Sequence, residues 1–174
     1  QSQWIRTVNQ LGVETAISSL GRVGETIVYV LGAHYPDESV SQLAIDKETF
    51  LPLRLLLVDT GTGSCAIVDP VLDYDPKSGK TDTGFIDQIL SDIESRGLDL
   101  KLVLETHAHA DHLTSAAYIR DKTGASIVIG QKIKGIQSTF ASIFNEGEAF
   151  RADGSQFDIL LEDGAELMLG DTRI

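Results

Sequence analysis

Residues 106–112 read Thr-His-Ala-His-Ala-Asp-His, and this stretch decides how the rest of the sequence is interpreted. It contains three of the four histidines of the chain. In an extended segment alternate side chains share a face, so His107 and His109 project the same way, about 6.6 Å apart at the backbone. Asp111 continues that alternation, whereas His112 needs a tight turn at Asp111 to join it. Converging imidazoles and a carboxylate predict a metal site with His107, His109, Asp111 and His112 as ligands.

Each of these residues also has an ordinary structural use. Asp111 can cap a helix predicted over 111–122, and His112 can be a surface residue in its first turn. The fourth histidine, His34, precedes Tyr35-Pro36 and is interpreted as a structural residue. Explaining the whole cluster in this way requires four coincidences at one strand end, where α/β sheets place ligands, so we favour the metal site.

Around the cluster, short apolar runs typical of strands alternate with segments whose apolar residues recur at helical spacing. This alternation is typical of an α/β protein. We expect an antiparallel hairpin first, then a loop over 70–81, and later a strand that leads into the cluster. The predicted elements are strands over 53–59, 64–69, 100–105, 126–129, 157–161 and 166–169, and helices around 85–93, 111–122 and 136–144.

The first fifty residues carry weaker patterns. Residues 4–20 fit a loose helix and residues 26–31 a strand, with a break at Pro36-Asp37. We therefore divide the chain into an N-terminal segment of uncertain structure, 1–50, and a domain over 51–174.

Composition and charge narrow the classes of partner. The chain has 174 residues, 42% hydrophobic and 23% charged, which suits one globular unit. A net charge of −12 disfavours nucleic acid and anionic lipid, and the apolar runs are strand-sized rather than membrane-spanning. The single Cys65 is expected to be a buried apolar side chain, which fits a reducing compartment.

The motif at 106–112 resembles the signature of the metallo-β-lactamase superfamily. Residues 69–75, 105–106, 112–117 and 153–158 are similar to the persulfide dioxygenase branch, which is close to glyoxalase II. The resemblance covers roughly residues 54–174. It implies a metallo-β-lactamase fold, an αββα sandwich, of which this sequence holds the first half: a mixed sheet with flanking helices.

This resemblance also implies roles for individual residues. In two-metal hydrolases of the superfamily, the positions of His107 and His109 belong to the first metal and those of Asp111 and His112 to the second. Persulfide dioxygenases use one Fe(II) per subunit, held by the equivalent of His107 with a later histidine and aspartate, a set suited to oxygen chemistry. Asp69 would orient the metal ligands through hydrogen bonds without binding the metal itself. An ordinary role as a turn residue at the end of a strand is an equal alternative for Asp69.

The later ligands of the family have no counterpart in this sequence, because no histidine follows His112. Asp171, in Gly170-Asp171-Thr172, resembles a later metal-bridging motif by its letters, but it comes too early in the chain and is not assigned. We therefore expect the sequence to be the front part of a longer protein, incomplete at its C-terminus.

The preferred expectation is an enzyme that oxidises glutathione persulfide to sulfite with Fe(II) and O₂. The alternative is a glyoxalase II-like thioester hydrolase with Zn(II), in which Asp111 helps to hold the second metal and so takes part in catalysis. A third alternative is a scaffold without catalysis. The expected partner is a small molecule and the expected compartment is the cytoplasm, with the mitochondrial matrix as the alternative; the sequence does not indicate an oligomeric state.

Overall fold

An eight-stranded mixed sheet lies at the centre of the computed structural model, which describes residues 3–147 and 149–174. In chain order the elements are α1 (Gln3–Gln10), β1 (Ser18–Val23), β2 (Thr26–Leu31), β3 (Gln42–Asp46), β4 (Pro52–Val58), β5 (Ser64–Val68), β6 (Val71–Asp75), β7 (Lys80–Asp82), α2 (Gly84–Ser95), β8 (Asp99–Glu105), β9 (Leu113–Thr114), α3 (Ala116–Thr123), β10 (Ser126–Gly130), α4 (Ile133–Ile143), β11 (Ile159–Leu161), β12 (Met168–Leu169) and β13 (Thr172–Arg173).

The large sheet has an antiparallel half and a parallel half. Its strand order is β1-β2-β3-β4-β5-β8-β10-β11. Neighbours from β1 to β5 are antiparallel, whereas β5, β8, β10 and β11 run parallel to one another. The α/β class, the mixed sheet with flanking helices and the antiparallel β4–β5 hairpin are thus confirmed. The parallel half places the carboxyl ends of β5 and β8 at one edge of the sheet.

One face of the sheet packs against α2 and α3. Ile86, Ile89 and Ile93 recur at helical spacing on α2 and are almost fully buried, as is Ile119 on α3. They join alternate strand residues in the main hydrophobic core, which also contains Cys65. Cys65 is 0% exposed, as predicted, and burial raises the pKa of its thiol to about 12.

The opposite face of the sheet carries two smaller apolar clusters. Leu57, Ala66, Leu102 and Val128 point to this side and pack with Leu169 of the β12–β13 hairpin. A separate cluster joins Val8 of α1 to Val13 and Leu43. The helices α2 and α3 therefore belong to one face only, and the C-terminal hairpin lies on the other.

A buried aspartate ties the C-terminal hairpin to the β4–β5 turn. Asp59 follows β4, is 5% exposed, and accepts hydrogen bonds from the amides of Asp171 (2.5 Å) and Gly61 (2.9 Å) and from the Thr62 hydroxyl (3.0 Å). Gly170 has φ +57°, and a Cβ at this position would overlap the Asp59 carboxylate and Thr62. The close approach therefore requires glycine at 170.

Two predictions around the cluster are wrong. The predicted helix over 111–122 is in fact α3, Ala116–Thr123, preceded by the strand β9, and Ser115 rather than Asp111 occupies the N-cap position. The segment predicted as a loop over 70–81 contains β6 and most of β7, and β6 pairs with both β7 and β9. The reason is tertiary: β9 is held by pairing with β6, so the helix begins only after it.

The N-terminal prediction is correct in part. The strand predicted at 26–31 is confirmed as β2, but the loose helix over 4–20 is wrong, because α1 ends at Gln10 and β1 begins at Ser18. Gly12 has φ +84°, a conformation that ends helices. Strands β1, β2 and β3 extend the same sheet that contains β4. No helix in residues 3–147 or 149–174 combines the length and apolar character needed to cross a membrane.

Candidate metal centre

The candidate site lies where the parallel neighbours β5 and β8 end. Asp69 directly follows β5, and Thr106 directly follows β8. Asp69 has φ +45°, an uncommon conformation that aspartate tolerates better than most residues, and its amide donates to the Leu104 carbonyl at 2.9 Å. The backbone thus leaves β5 at an angle that directs the Asp69 carboxylate toward the end of β8.

The Asp69 carboxylate is held by residues of the motif. Its Oδ1 accepts from the Thr106 amide (2.7 Å) and lies 3.0 Å from His109 Nε2, and its Oδ2 accepts from the Thr106 hydroxyl (2.6 Å). Both oxygens are therefore engaged. This arrangement suits a carboxylate that orients an imidazole better than one that binds metal directly.

The hydrogen bonds of His107 select one ring nitrogen for ligation. Thr106 has a single hydroxyl hydrogen, which it donates to Asp69, so its contact with His107 Nδ1 (2.8 Å) requires Nδ1–H as the donor. Nε2 of the exposed His107 then carries the free lone pair. His107 can therefore hold a metal through Nε2.

His109 is oriented in the opposite sense. Its Nε2 lies between two carboxylates, 3.0 Å from Asp69 Oδ1 and 3.4 Å from Glu105 Oε2. Because an ionised carboxylate only accepts, Nε2 carries the hydrogen and Nδ1 carries the lone pair. Glu105, the last residue of β8, is 6% exposed and is not among the residues predicted for the site. Its signal in the sequence is a charged residue at the end of a strand whose other buried residues are apolar.

His112 supplies the third free imidazole nitrogen. The chain bends at residues 110–112, as the tight turn predicted at Asp111 requires. His112 Nδ1 lies 3.3 Å from Asp111 Oδ1, while its Nε2 is buried and has no hydrogen-bond partner. A buried imidazole nitrogen without a hydrogen-bond partner, next to the His109 ring, suits a metal ligand.

The four predicted ligands are close together. The ring centroids of His107 and His109 are 4.3 Å apart, and those of His109 and His112 are 4.1 Å apart. One ligand atom each from His109, Asp111 and His112 lies within 4.8 Å of the others, and the same holds for Asp69, His107 and His109. The donor set of neutral imidazoles and a carboxylate fits Zn(II) or Fe(II).

The pKa values of two carboxyl groups at the site, Glu105 and Asp111, are shifted in opposite directions. Burial raises the pKa of Glu105, although the Thr114 hydroxyl bond opposes the rise. The pKa of Asp111 is lowered, first by a backbone hydrogen bond and then by its proximity to His112 and His109. The lowered pKa keeps the exposed Asp111 carboxylate deprotonated, which metal ligation requires.

A groove of about 970 Å³ leads to the histidines. Its walls are mostly apolar and come from α1, β3, β4 and the end of β5, including Val8, Leu43, Ile45, Leu53, Leu55 and Val68. An apolar lining with a few converging polar groups is typical of a small-molecule site.

The two other residues considered in the sequence, Asp171 and His34, lie away from the histidine cluster. Asp171 is in the turn between β12 and β13, where its amide bonds to Asp59 at the β4–β5 turn, the opposite end of β5 from Asp69. His34 is exposed, and its amide donates to Glu38 Oε2 at 2.8 Å. Neither residue is among the candidate ligand groups of the described chain.

The mixed sheet makes this an α/β protein, and it places a candidate metal-ligand group at the carboxyl ends of adjacent parallel strands, where such sheets bind ligands. Comparison with known proteins identifies the family. The model of the metallo-beta-lactamase superfamily matches residues 55–174, and the chain belongs to that superfamily. Its members bind divalent metal ions and are typically metalloenzymes.

Individual relatives differ in their names. A probable metallo-hydrolase of Burkholderia pseudomallei is 50% identical over 118 residues, which are 68% of this chain and 40% of the relative. The human mitochondrial persulfide dioxygenase ETHE1 is 27% identical over 115 residues, covering 66% of this chain and 34% of that protein. The crystal structure of ETHE1 from Myxococcus xanthus matches with a TM-score of 0.50 and 22% identity, over 77% of this chain and 45% of that one, which supports the fold. The chain thus spans less than half the length of these relatives.

Proposed function

We propose that the chain contributes the strand-end part of a single Fe(II) centre in a persulfide dioxygenase-like enzyme. Its substrate would be glutathione persulfide, which reacts with O₂ and water to give glutathione and sulfite. The observation that carries the proposal is His107, which lines the groove and whose Nδ1 is held by Thr106, so that Nε2 is left free for a metal. The similarity to the human persulfide dioxygenase and the shared fold support it.

In this proposal each residue of the site has a defined task. His107 holds the metal through Nε2, and Asp69 orients the neighbouring His109. His109, Asp111 and His112 complete the set of candidate ligands, and Asp111 supplies an ionised carboxylate beside the reacting groups. When bound, Fe(II) supplies the redox chemistry with oxygen. The apolar groove walls exclude water from the reactive sulfur.

A zinc-dependent thioester hydrolase of the glyoxalase II type is the second candidate. It is supported by the grouping of His109, Asp111 and His112, whose candidate ligand atoms lie within 4.8 Å of one another. The name of the Burkholderia relative, a probable metallo-hydrolase, agrees with hydrolysis. Zn(II) would supply an activated water, and Asp111 and His112 would hold the second ion.

The two candidates differ in metal count and in their need for oxygen. We would load the full-length protein with iron and follow oxygen uptake and sulfite formation with glutathione persulfide, using H107A as the test variant and H34A as the matched control. Uptake by the wild type and H34A but not by H107A supports the dioxygenase. Two zinc ions per chain with anaerobic hydrolysis of S-lactoylglutathione supports the hydrolase, and neither activity with no bound metal supports a scaffold.

The partner and compartment remain proposals as well. We propose a small-molecule substrate and no nucleic-acid partner, because the net charge of −12 repels phosphate backbones. We assign the protein to the cytoplasm, with the mitochondrial matrix as the alternative, since the lone buried Cys65 fits a reducing compartment. Subcellular fractionation of the source organism distinguishes the two compartments.

A further inference from the structure

The candidate metal centre includes a buried glutamate, Glu105, that the proposed ligand set does not use. We infer that Glu105 is a positioning residue that, together with Asp69, fixes the tautomer and ring orientation of His109, so that the His109 Nδ1 lone pair faces His107 and His112. This inference rests on the proposed metal site.

The two carboxylates approach the same ring nitrogen from different strands. Asp69 extends from the end of β5 and places Oδ1 3.0 Å from His109 Nε2. Glu105 extends from the end of β8 and places Oε2 3.4 Å from the same atom. Nε2–H donates its hydrogen bond to Asp69 Oδ1, and the negatively charged Glu105 Oε2 makes a charge contact with the same N–H. Both carboxylates therefore favour the tautomer that carries hydrogen on Nε2. Two anchors on separate strands also restrict rotation of the ring more than one anchor would.

Glu105 is itself held in place by Thr114. The Thr114 hydroxyl donates to Glu105 Oε1, and its oxygen accepts from the Ala116 amide at 3.1 Å, at the start of α3. The second carboxylate oxygen is then directed at His109. The side chain thus links the first turn of α3 to the imidazole, with no ordinary cation such as lysine or arginine as its ion-pair partner among the described residues.

Burial makes this arrangement hard to explain as packing alone. The Glu105 side chain is 3% exposed, and a desolvated carboxylate is unfavourable unless its oxygens are satisfied. The bond to Thr114 engages only one of the two oxygens. The other has His109 as its partner, so the carboxylate and the imidazole depend on each other.

The test replaces Glu105 with glutamine in the full-length protein. E105Q keeps the size of the side chain and an oxygen for Thr114, but it removes the charge beside His109. We expect Zn²⁺ and Fe²⁺ to bind about 10- to 100-fold more weakly, in line with losses of such orienting partners at other metal sites. The matched control is E94Q, at an exposed glutamate on α2, which should bind both metals as the wild type does.

A second measurement reads the tautomer directly and without metal. In ¹⁵N-labelled, metal-free protein at pH about 8, long-range ¹H–¹⁵N NMR spectra should show His109 with hydrogen on Nε2 in the wild type and a mixture of tautomers in E105Q. A protein in which E105Q lowers only the free energy of unfolding, with metal affinity and tautomer unchanged, would overturn the inference. If the wild type binds no metal, the proposed function fails while the spectra still decide the role of Glu105.

Discussion

Two aspartates at opposite ends of the β4–β5 hairpin can be compared directly. Asp59 follows β4, Asp69 follows β5, and each carboxylate accepts from a backbone amide and a threonine hydroxyl. They differ in the third partner, which is the Asp171 amide for Asp59 and the His109 imidazole for Asp69. The same pattern of bonds therefore closes a turn at one end of the sheet and orients a candidate ligand at the other.

The two aspartates lie at opposite ends of β5, one in a structural turn and the other at the candidate metal site. Changes at the Asp69 end should alter metal binding first, and changes at the Asp59 end should alter the free energy of unfolding first. All of the following measurements use the full-length protein.

The largest effect is expected when His107 and His109 are both replaced with alanine. This change removes two metal ligands themselves rather than the residues that orient them. Affinity for Zn²⁺ should therefore fall by more than about 100-fold, which exceeds the loss expected when an orienting residue is replaced. Metal content after dialysis, measured by mass spectrometry, checks this. H34A should retain its metal, and a double variant that held metal as tightly as the wild type would invalidate the assignment of the site.

A smaller loss is expected for D69N. Asparagine tolerates the positive φ at this position, so the fold should persist, but one acceptor oxygen for Thr106 and His109 is lost. Metal affinity should fall about 10- to 100-fold. Titration with Zn²⁺ measures it, with D37N at an exposed aspartate as the control. If D69N changed unfolding but not metal binding, the two ends of the hairpin would not differ as proposed.

At the other end, G170A should destabilise the fold without changing the metal site. Alanine at φ +57° is strained by about 1–3 kcal/mol, and its Cβ would also overlap Asp59 and Thr62. Chemical denaturation measures the loss. G124A is the matched control, because Gly124 also has positive φ (+77°) but open space around it, and it should lose less stability than G170A. Equal losses in the two variants would show that the contact with Asp59 contributes nothing.

The smallest effect is expected from acid at Asp59. Hydrogen bonds, first from the Asp171 amide and then from Gly61, lower the pKa of Asp59. Its contribution to stability is therefore present above the unfolded pKa of about 3.9 and disappears as pH falls through the lower folded value. The stability advantage of the wild type over D59N should shrink between pH 7 and pH 3 in denaturation experiments. An advantage that stays constant over this range would contradict the lowered pKa.

The sequence was informative wherever local patterns determine structure. The strands near 53–59, 64–69, 100–105 and 126–129 are apolar runs, and the helix near 85–93 has an apolar face, so the corresponding β4, β5, β8, β10 and α2 could be predicted. The small sheet of β6, β7 and β9 could not, because its strands are short and largely exposed and depend on pairing with distant residues.

The same distinction applies to the site. His107, His109, Asp111 and His112 are close in sequence, and their clustering in space could be foreseen from alternation and a turn. The contact of Glu105 with His109 could not, because it depends on how a buried side chain at the strand end is turned by Thr114. Local spacing thus predicts the candidate ligands, but it does not predict all of the residues that orient those ligands.

The division of the sheet into antiparallel and parallel halves has a kinetic consequence. The β4–β5 hairpin brings together residues that are neighbours in sequence, whereas Asp69 and Thr106 are 37 positions apart and meet only when the crossover through α2 closes. Contacts of short range form faster, since less chain entropy is lost in making them. The histidine cluster should therefore acquire its order late in folding, after the meander from β1 to β5 has already assembled.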